Sequence, residues 1–207
     1  PAVIQTWFAG QEFGCALADI LLGEVNPSGK LPITFPASLE DTPAFTNYPG
    51  EFGKVHYGEG LYVGYRWYSS RSIQPLFCFG HGLSYTSFEY SAGSIVEQNV
   101  DGSVTIEFDL QNSGERLGKE TVQVYLQALQ SVVAKPKLQL ACFTKVSLQP
   151  GEKRRLRLVL AAESFAHWDV EKGNWQREAA AYLIHVAASS NDLKLEVELN
   201  YHSGTVD

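Results

Sequence analysis

The carboxylates in glycine-rich surroundings are Glu12 and Glu59. To work as an acid/base pair they would face each other about 5 to 9 Å apart across a substrate. Nothing in the order of residues brings them together, and structural roles account for both. Glu12 suits the first turn of a helix, where the dipole favours an acid. Glu59 stands seven residues before Arg66, which predicts a charge-assisted hydrogen bond between them. Ser84, His81 and Asp169 have the residue types of a hydrolytic triad, but the serine lacks the G-x-S-x-G elbow. His56, His167, His185 and His202 are isolated and show no metal-ligand spacing. No motif for a metal or cofactor stands out. His185 lies among the alternating Tyr182, Ile184 and Val186, which predicts a place on an outer sheet face. Gly23 to Lys30 has the outline of a phosphate loop. Five residues separate Gly23 from Gly29, however, and Leu31 replaces the magnesium-binding Ser or Thr, so a proline-containing turn is the better reading. Trp67, Tyr62, Tyr65 and Tyr68 offer ring faces on which a pyranose can stack, with Trp7 as a second candidate; packing between two bodies is the competing use. Trp67 and Tyr62 are kept as candidate substrate-binding residues.

These residues are concentrated in one stretch, Tyr57 to Tyr90. It carries ten of the chain's twenty-five aromatic residues. It also carries Gly58, Gly60, Gly64, Gly80 and Gly82, which permit close backbone approach and positive φ. The pattern is too irregular for one strand or helix and predicts a packed seam, with Glu59, Arg66, Gly80 and Gly82 as its structural residues. Within it, Leu61 to Tyr68 reads as a strand and Pro75 to Gly82 as an irregular crossing.

On the N-terminal side, Val3 to Phe8 is a short apolar run expected to be a strand. Gln11 to Leu22 has apolar residues three and four apart, an amphipathic helix ended by Gly23. Strand, glycine turn and helix make the start of a βα unit. One strand and one helix cannot cover each other's apolar surfaces. Residues 1–38 are therefore expected to belong to a sheet whose other strands lie elsewhere, with Pro1 as a cut edge. Ala37 to Lys54 is rich in turn residues and reads as a surface connection.

From about Ser84 the period changes to two. Val104, Ile106, Phe108 and Leu110 alternate with polar residues, as do Val122, Val124 and Leu126, then Leu156, Leu158 and Leu160, then Tyr182, Ile184 and Val186, then Leu193, Leu195, Val197 and Leu199. Turn residues separate the runs. The series predicts an immunoglobulin-like or fibronectin type III-like sandwich, with Phe165 and Trp168 plugging a corner of its core. The fold class is thus an incomplete α/β piece (1–38), an aromatic linker (39–83) and an all-β sandwich (84–207).

Composition narrows the partners. A net charge of -7 argues against nucleic acid and anionic membranes. The one basic cluster, Lys153, Arg154, Arg155 and Arg157, alternates with leucines and reads as the wet face of a strand. Cys15, Cys78 and Cys142 are too far apart for a disulfide framework or a zinc site, and no N-x-[ST] site occurs, a pattern common inside cells but shared by many secreted proteins. No apolar run is long enough to cross a bilayer.

Four stretches together resemble one family: Ala9 to Pro36, Glu59 to Tyr68 (EGLYVGYRWY), Pro75 to Tyr90 (PLFCFGHGLSYTSFEY), and the sandwich from Thr105 to Leu199. Their order is similar to the C-terminal portion of glycoside hydrolase family 3, in particular its β-glucosidases with a fibronectin type III-like tail. The phrases Asn26-Pro27-Ser28-Gly29-Lys30-Leu31-Pro32 and Gly80-His81-Gly82-Leu83-Ser84-Tyr85-Thr86 are long and unusual. Cys78 stands where the family usually has proline, and Ala179-Ala180-Ala181 where it usually has a glycine turn. The resemblance implies a retaining glycosidase whose nucleophilic Asp and acid/base Glu lie upstream, on a barrel and an α/β sandwich. Neither motif occurs in this sequence, so no catalytic residue is carried over. The implied partners are that upstream portion and a β-glucoside or oligosaccharide, and this chain alone is expected to be inactive. The alternative reading is a non-catalytic carbohydrate-binding or adhesion module.

Overall fold

A computed structural model describes residues 2–202. Its centre is a two-layer β-sandwich. One layer has the strand order β1-β2-β5 and the other β4-β3-β8-β9, all neighbours antiparallel. The strands are β1 (Phe88–Gln98), β2 (Val104–Asn112), β3 (Gly118–Ala128), β4 (Gln139–Leu148), β5 (Lys153–Leu160), β8 (Ala180–Ser189) and β9 (Asp192–Tyr201). A short hairpin, β6 (Ala166–Asp169) with β7 (Asn174–Arg177), stands apart from both layers.

Alternation explains the core. Val104, Ile106, Phe108 and Leu110 of β2 meet Val122, Val124 and Leu126 of β3 and Ile184 and Val186 of β8 in one buried cluster. Phe165 plugs the corner as expected, stacked on Tyr201 at 4.2 Å between ring centroids and edge-on to Tyr182. Trp168 does not. It is 51% exposed, because the hairpin carries it outward to pair with Trp175 across the strands. Lys153, Arg155 and Arg157 of β5 lie on the wet face, as expected; Arg154 does not, because it stands opposite the core residue Leu110 and shares the face of Leu156 and Leu158, reaching Glu152 at the exposed strand end. Arg155 reaches Glu107 and Asp109 of β2, and Lys153 also reaches Asp109. A ladder of opposite charges on neighbouring strands is the usual furnishing of a solvated sheet face.

Before the sandwich, two expectations change. Val3 to Phe8 forms no strand: a lone extended run has no sheet to join, and its side chains stay exposed. Leu61 to Tyr68 is also no strand. A short helix, α2 (Tyr65–Arg71), begins after Gly64 at φ 54°. Its i, i+3 spacing turns Tyr65 and Tyr68 to one side, and Arg71 lies over the Trp67 ring one turn earlier. The first helix, α1 (Phe13–Leu22), does form and ends at Gly23 in the left-handed conformation. It buries no residue, and Leu22 is 78% exposed.

Phe108 tests the core directly. Phe108→Ala is expected to destabilise the chain by about 3–5 kcal/mol, read as a lowered urea midpoint. The same change at the exposed Phe143 should leave the unfolding free energy within about 0.5 kcal/mol of the parent.

Candidate functional site

The seam is built from two extended pieces lying on the sandwich. Residues 31–35 run antiparallel to 77–81. Phe35 and Phe77 exchange both backbone bonds, Gly80 N donates to Leu31 O, and Leu31 N donates to His81 O. Pro32 and Pro36 hold the first piece extended. Gly80, at φ 78°, then passes so close to β3 that a Cβ there would overlap the Gln123 carboxamide. The carboxamide is fully used: Nε2 donates to Gly80 O at 3.2 Å and Ala188 O at 2.9 Å, while Oε1 accepts from Tyr125 Oη at 2.6 Å. Ser190 N donates to Phe79 O, and Cys78 Sγ lies 3.3 Å from Ser189 Oγ. At Gly82 a Cβ would overlap Gly29 O. Gly80 and Gly82 are thus required by close approach.

Aromatic packing closes the same face. Tyr65 of α2 stacks on Phe79 at 4.8 Å and meets Tyr125 edge-on at 5.7 Å, and its hydroxyl accepts from Leu140 N at 2.8 Å. Burial pushes the Tyr125 phenol well above the ordinary range, with Tyr65 and Cys78 adding to it. Burial likewise raises the Cys142 thiol to about 11, which keeps it an unreactive thiol at neutral pH.

A polar plug sits at the other end. Lys30 Nζ donates to Glu120 Oε1 and to Gly82 O, each at 3.2 Å, and Tyr90 Oη donates to the same Glu120 oxygen at 2.9 Å. Asn26 binds three ways: Oδ1 accepts from Ser84 Oγ and Tyr85 N, and Nδ2 donates to Leu117 O. The phosphate-loop outline around Gly23 to Lys30 is therefore a structural turn whose side chains are spent on the seam.

The other candidates fall apart as constellations. Among the described residues no hydrogen bond or ion pair joins Glu59 to Arg66. Instead Glu59 Oε2 is buried without a hydrogen-bond partner. Ser84 is bound to Asn26, His81 stacks on Phe77, and Asp169 accepts backbone bonds in the hairpin turn, so the triad types serve three separate structures. Trp67 Nε1 donates to Asp41 O at 2.9 Å. Tyr62, half-exposed, opens no aromatic stack of its own among the described residues. Trp7 stacks on Phe35. No group of three or more His, Cys, Asp or Glu among the described residues is placed to hold a metal. His185 is on the outer face of its sheet, as its alternation implies, yet it is 3% exposed because the seam side is covered. Its Nε2 lies 3.1 Å from Gln127 Oε1 and its Nδ1 3.4 Å from Glu196 Oε2.

Comparison with known proteins bears on this arrangement. The Glycosyl hydrolase family 3 C-terminal domain profile matches residues 1–85, and the Fibronectin type III-like domain profile matches residues 120–190. The chain is the C-terminal part of a glycoside hydrolase family 3 protein. It is 42% identical over 204 residues to thermostable beta-glucosidase B of Acetivibrio thermocellus, covering 98% of this chain and 27% of that protein. A Bifidobacterium adolescentis family 3 beta-glucosidase superposes with TM-score 0.90 at 36% identity, over 95% of this chain and 29% of that one. Beta-glucosidase 3B of Thermotoga neapolitana, in complex with glucose, superposes with TM-score 0.86 at 40% identity, over 94% and 27%. The family 3 chain thus spans about a quarter of the length of the curated relatives it matches.

Two outcomes follow for this family 3 chain. Gly80→Ala combines a strained φ with overlap onto Gln123 and is expected to cost about 2–4 kcal/mol. Gly53→Ala, also at positive φ but facing open space, should cost only about 1 kcal/mol; urea unfolding of both reads the difference. Burial lowers the pKa of His185, with Glu196 pulling the other way. Its folded value is therefore below the unfolded value of about 6.5. The associated stability is present above that pH and is lost as pH falls towards the folded value, because the unfolded chain takes up the proton first. His185→Gln should flatten the stability profile below about pH 6.5, measured by urea midpoints across pH.

Proposed function

We propose that this chain completes and braces the catalytic part of a retaining β-glucosidase that removes terminal β-D-glucosyl residues. In this reading residues 1–38 close an α/β layer, 39–83 form the linking seam, and 84–207 form the sandwich that holds the seam in place. The nucleophile and the acid/base come from the preceding portion of the same enzyme. Trp67 and Tyr62 are the residues of this chain assigned to sugar contact.

The observation that carries the reading is the contrast in burial. The seam and the sandwich are locked by buried polar and aromatic contacts, while α1 buries no residue, half-covers Leu17 and Ile20, and leaves Phe13 and Leu21 of its apolar stripe exposed. Such a stripe is the signature of a layer awaiting its sheet. The names of the relatives supply the substrate class.

The test is an assay with an aryl β-glucoside. The 207-residue chain alone should give no turnover, whereas the longer polypeptide that contains it should. In that longer enzyme Tyr62→Ala is expected to raise KM several-fold with a smaller effect on kcat, the pattern of lost binding. Steady turnover by the 207 residues alone, abolished by changing an acid within them, would defeat the proposal.

A further inference from the structure

Four buried side-chain atoms lack a hydrogen-bond partner among the described residues, and one of them is a carboxylate oxygen, Glu59 Oε2. The others are a threonine hydroxyl and two imidazole nitrogens. An ionised carboxylate only accepts, and taking it out of water without a donor is costly. Neither oxygen of Glu59 has a hydrogen bond or an ion pair among the described residues, Arg66 included.

The backbone fixes where this group sits. Gly60 N donates to Tyr57 O at 3.5 Å and Tyr62 N donates to Glu59 O at 3.0 Å, so residues 57–62 make two successive turns. Gly60 permits the first at φ 56°. Gly58 lies against Asn47, where a Cβ would come within 3.0 Å of Nδ2. Glu59 as a whole is half-buried rather than sealed. The terminal torsion of a glutamate is broad, so its carboxylate can be met from outside.

The surroundings narrow what meets it. Val55, Tyr57, Leu61 and Val63 take the alternate positions on either side of Glu59 along the chain, and all four are exposed. An exposed apolar run of this kind marks a contact surface. Between Ala37 and Val63 the chain has four acids, Glu40, Asp41, Glu51 and Glu59, against one lysine, Lys54. The complementary surface is apolar and carries a basic group. A guanidinium meets both demands, since it pairs with a carboxylate and stacks on an aromatic face such as Tyr57. The curated relatives are matched over only about a quarter of their own length, so most of each such protein lies outside these residues.

We propose that Glu59 receives a lysine or arginine side chain from the portion of the enzyme that precedes these residues. The ion pair, flanked by Val55, Tyr57, Leu61 and Val63, fixes the linking seam against that portion. This rests on the reading that the chain completes a longer enzyme, and not on the sugar that the enzyme takes.

The experiment uses the longer polypeptide. Its crystal structure is expected to show a lysine or arginine nitrogen of the preceding portion within about 4 Å of the Glu59 carboxylate. Glu59→Gln keeps the shape of the side chain and removes its charge. In that variant, hydrogen exchange followed by mass spectrometry should speed up about tenfold or more in residues 55–63 and also in the segment that carries the basic partner. Arg66→Gln should leave that segment unchanged. Three results overturn the proposal: Arg66 or only ordered water at the carboxylate, exchange unchanged by Glu59→Gln, or faster exchange confined to the 207 residues. Turnover of an aryl β-glucoside by the parent is read separately. An inactive parent with the contact present defeats the β-glucosidase reading alone, and an active parent without the contact defeats this inference alone.

Discussion

The buried carboxamide of Gln123 is the constraint on which the rest of this structure depends. It lies in the middle of β3, 3% exposed, with both of its hydrogen-bonding ends engaged. Left unpaired, such a group destabilises a fold by about 1–3 kcal/mol. Its Gly80 partner is on a segment with little regular structure of its own. The 77–82 run therefore has one place to lie, and the 31–35 run that pairs with it is fixed in turn. A glycine at 80 is the only residue that lets a backbone come that close to the sheet.

This arrangement gives the sandwich two unlike outer faces. On β2 and β5 the outward residues are charged, paired across strands and wet. On β3 and β8 the outward residues include Gln123, Tyr125 and His185, all three buried. Tyr125 is the hinge between the two descriptions. Its ring packs with Tyr65 and Phe79, while its hydroxyl completes the Gln123 network. Lys30, Glu120 and Tyr90 close the end of the core in the same manner, with a charge pair whose carboxylate also accepts a phenolic hydroxyl. A buried pair of this kind is weak evidence for stability, and its use is to fix register. Here it ties three segments, around 30, 90 and 120, to one point.

Much of this was legible in the order of residues, and the part that was not has identifiable causes. The five alternating runs became β2, β3, β5, β8 and β9, because period two is strict where one face meets a core. Two strands of the sandwich carried no such signal. In β1 the register shifts between Ser91 and Ser94 and again between Ile95 and Glu97, so alternation is broken by bulges. In β4, Ala141, Cys142 and Phe143 follow one another without a polar partner, and only Val146 and Leu148 are buried. The candidate site was legible as a seam but not in its contacts. Gly80 and Gly82 mark close approach by type, whereas Gln123 looks like any outward polar residue until the seam is laid over it. Tyr65 to Arg71 turned as a helix rather than a strand because Gly64 and the αL residue Ser72 bound it at both ends, and aromatic content alone does not separate the two. The pairing of Glu59 with Arg66 rested on opposite charge seven residues apart, and a spacing across a glycine turn does not set where two side chains point.

The manner in which α1 is held argues for its role. Its contacts to the remainder of the chain gather at its C-terminal end, where Tyr85 Oη donates to Ile20 O at 2.9 Å and Arg116 donates to Gly23 O at 3.1 Å. Ile20 O already accepts from Gly23 N at 3.1 Å and takes Tyr85 as a second donor, while Arg116 meets the Gly23 carbonyl just beyond the helix, where the guanidinium also complements the negative end of the dipole. Arg116 lies over the Tyr85 ring, so the two donors support each other. A helix kept by its last turn has its direction set with its apolar stripe only partly covered, at Leu17 and Ile20. Phe13, Leu21 and Leu22 then remain available to whatever completes the layer. The sandwich and seam thus act on α1 as a bracket: they fix where the helix ends and leave Phe13 and Leu21 exposed for further packing.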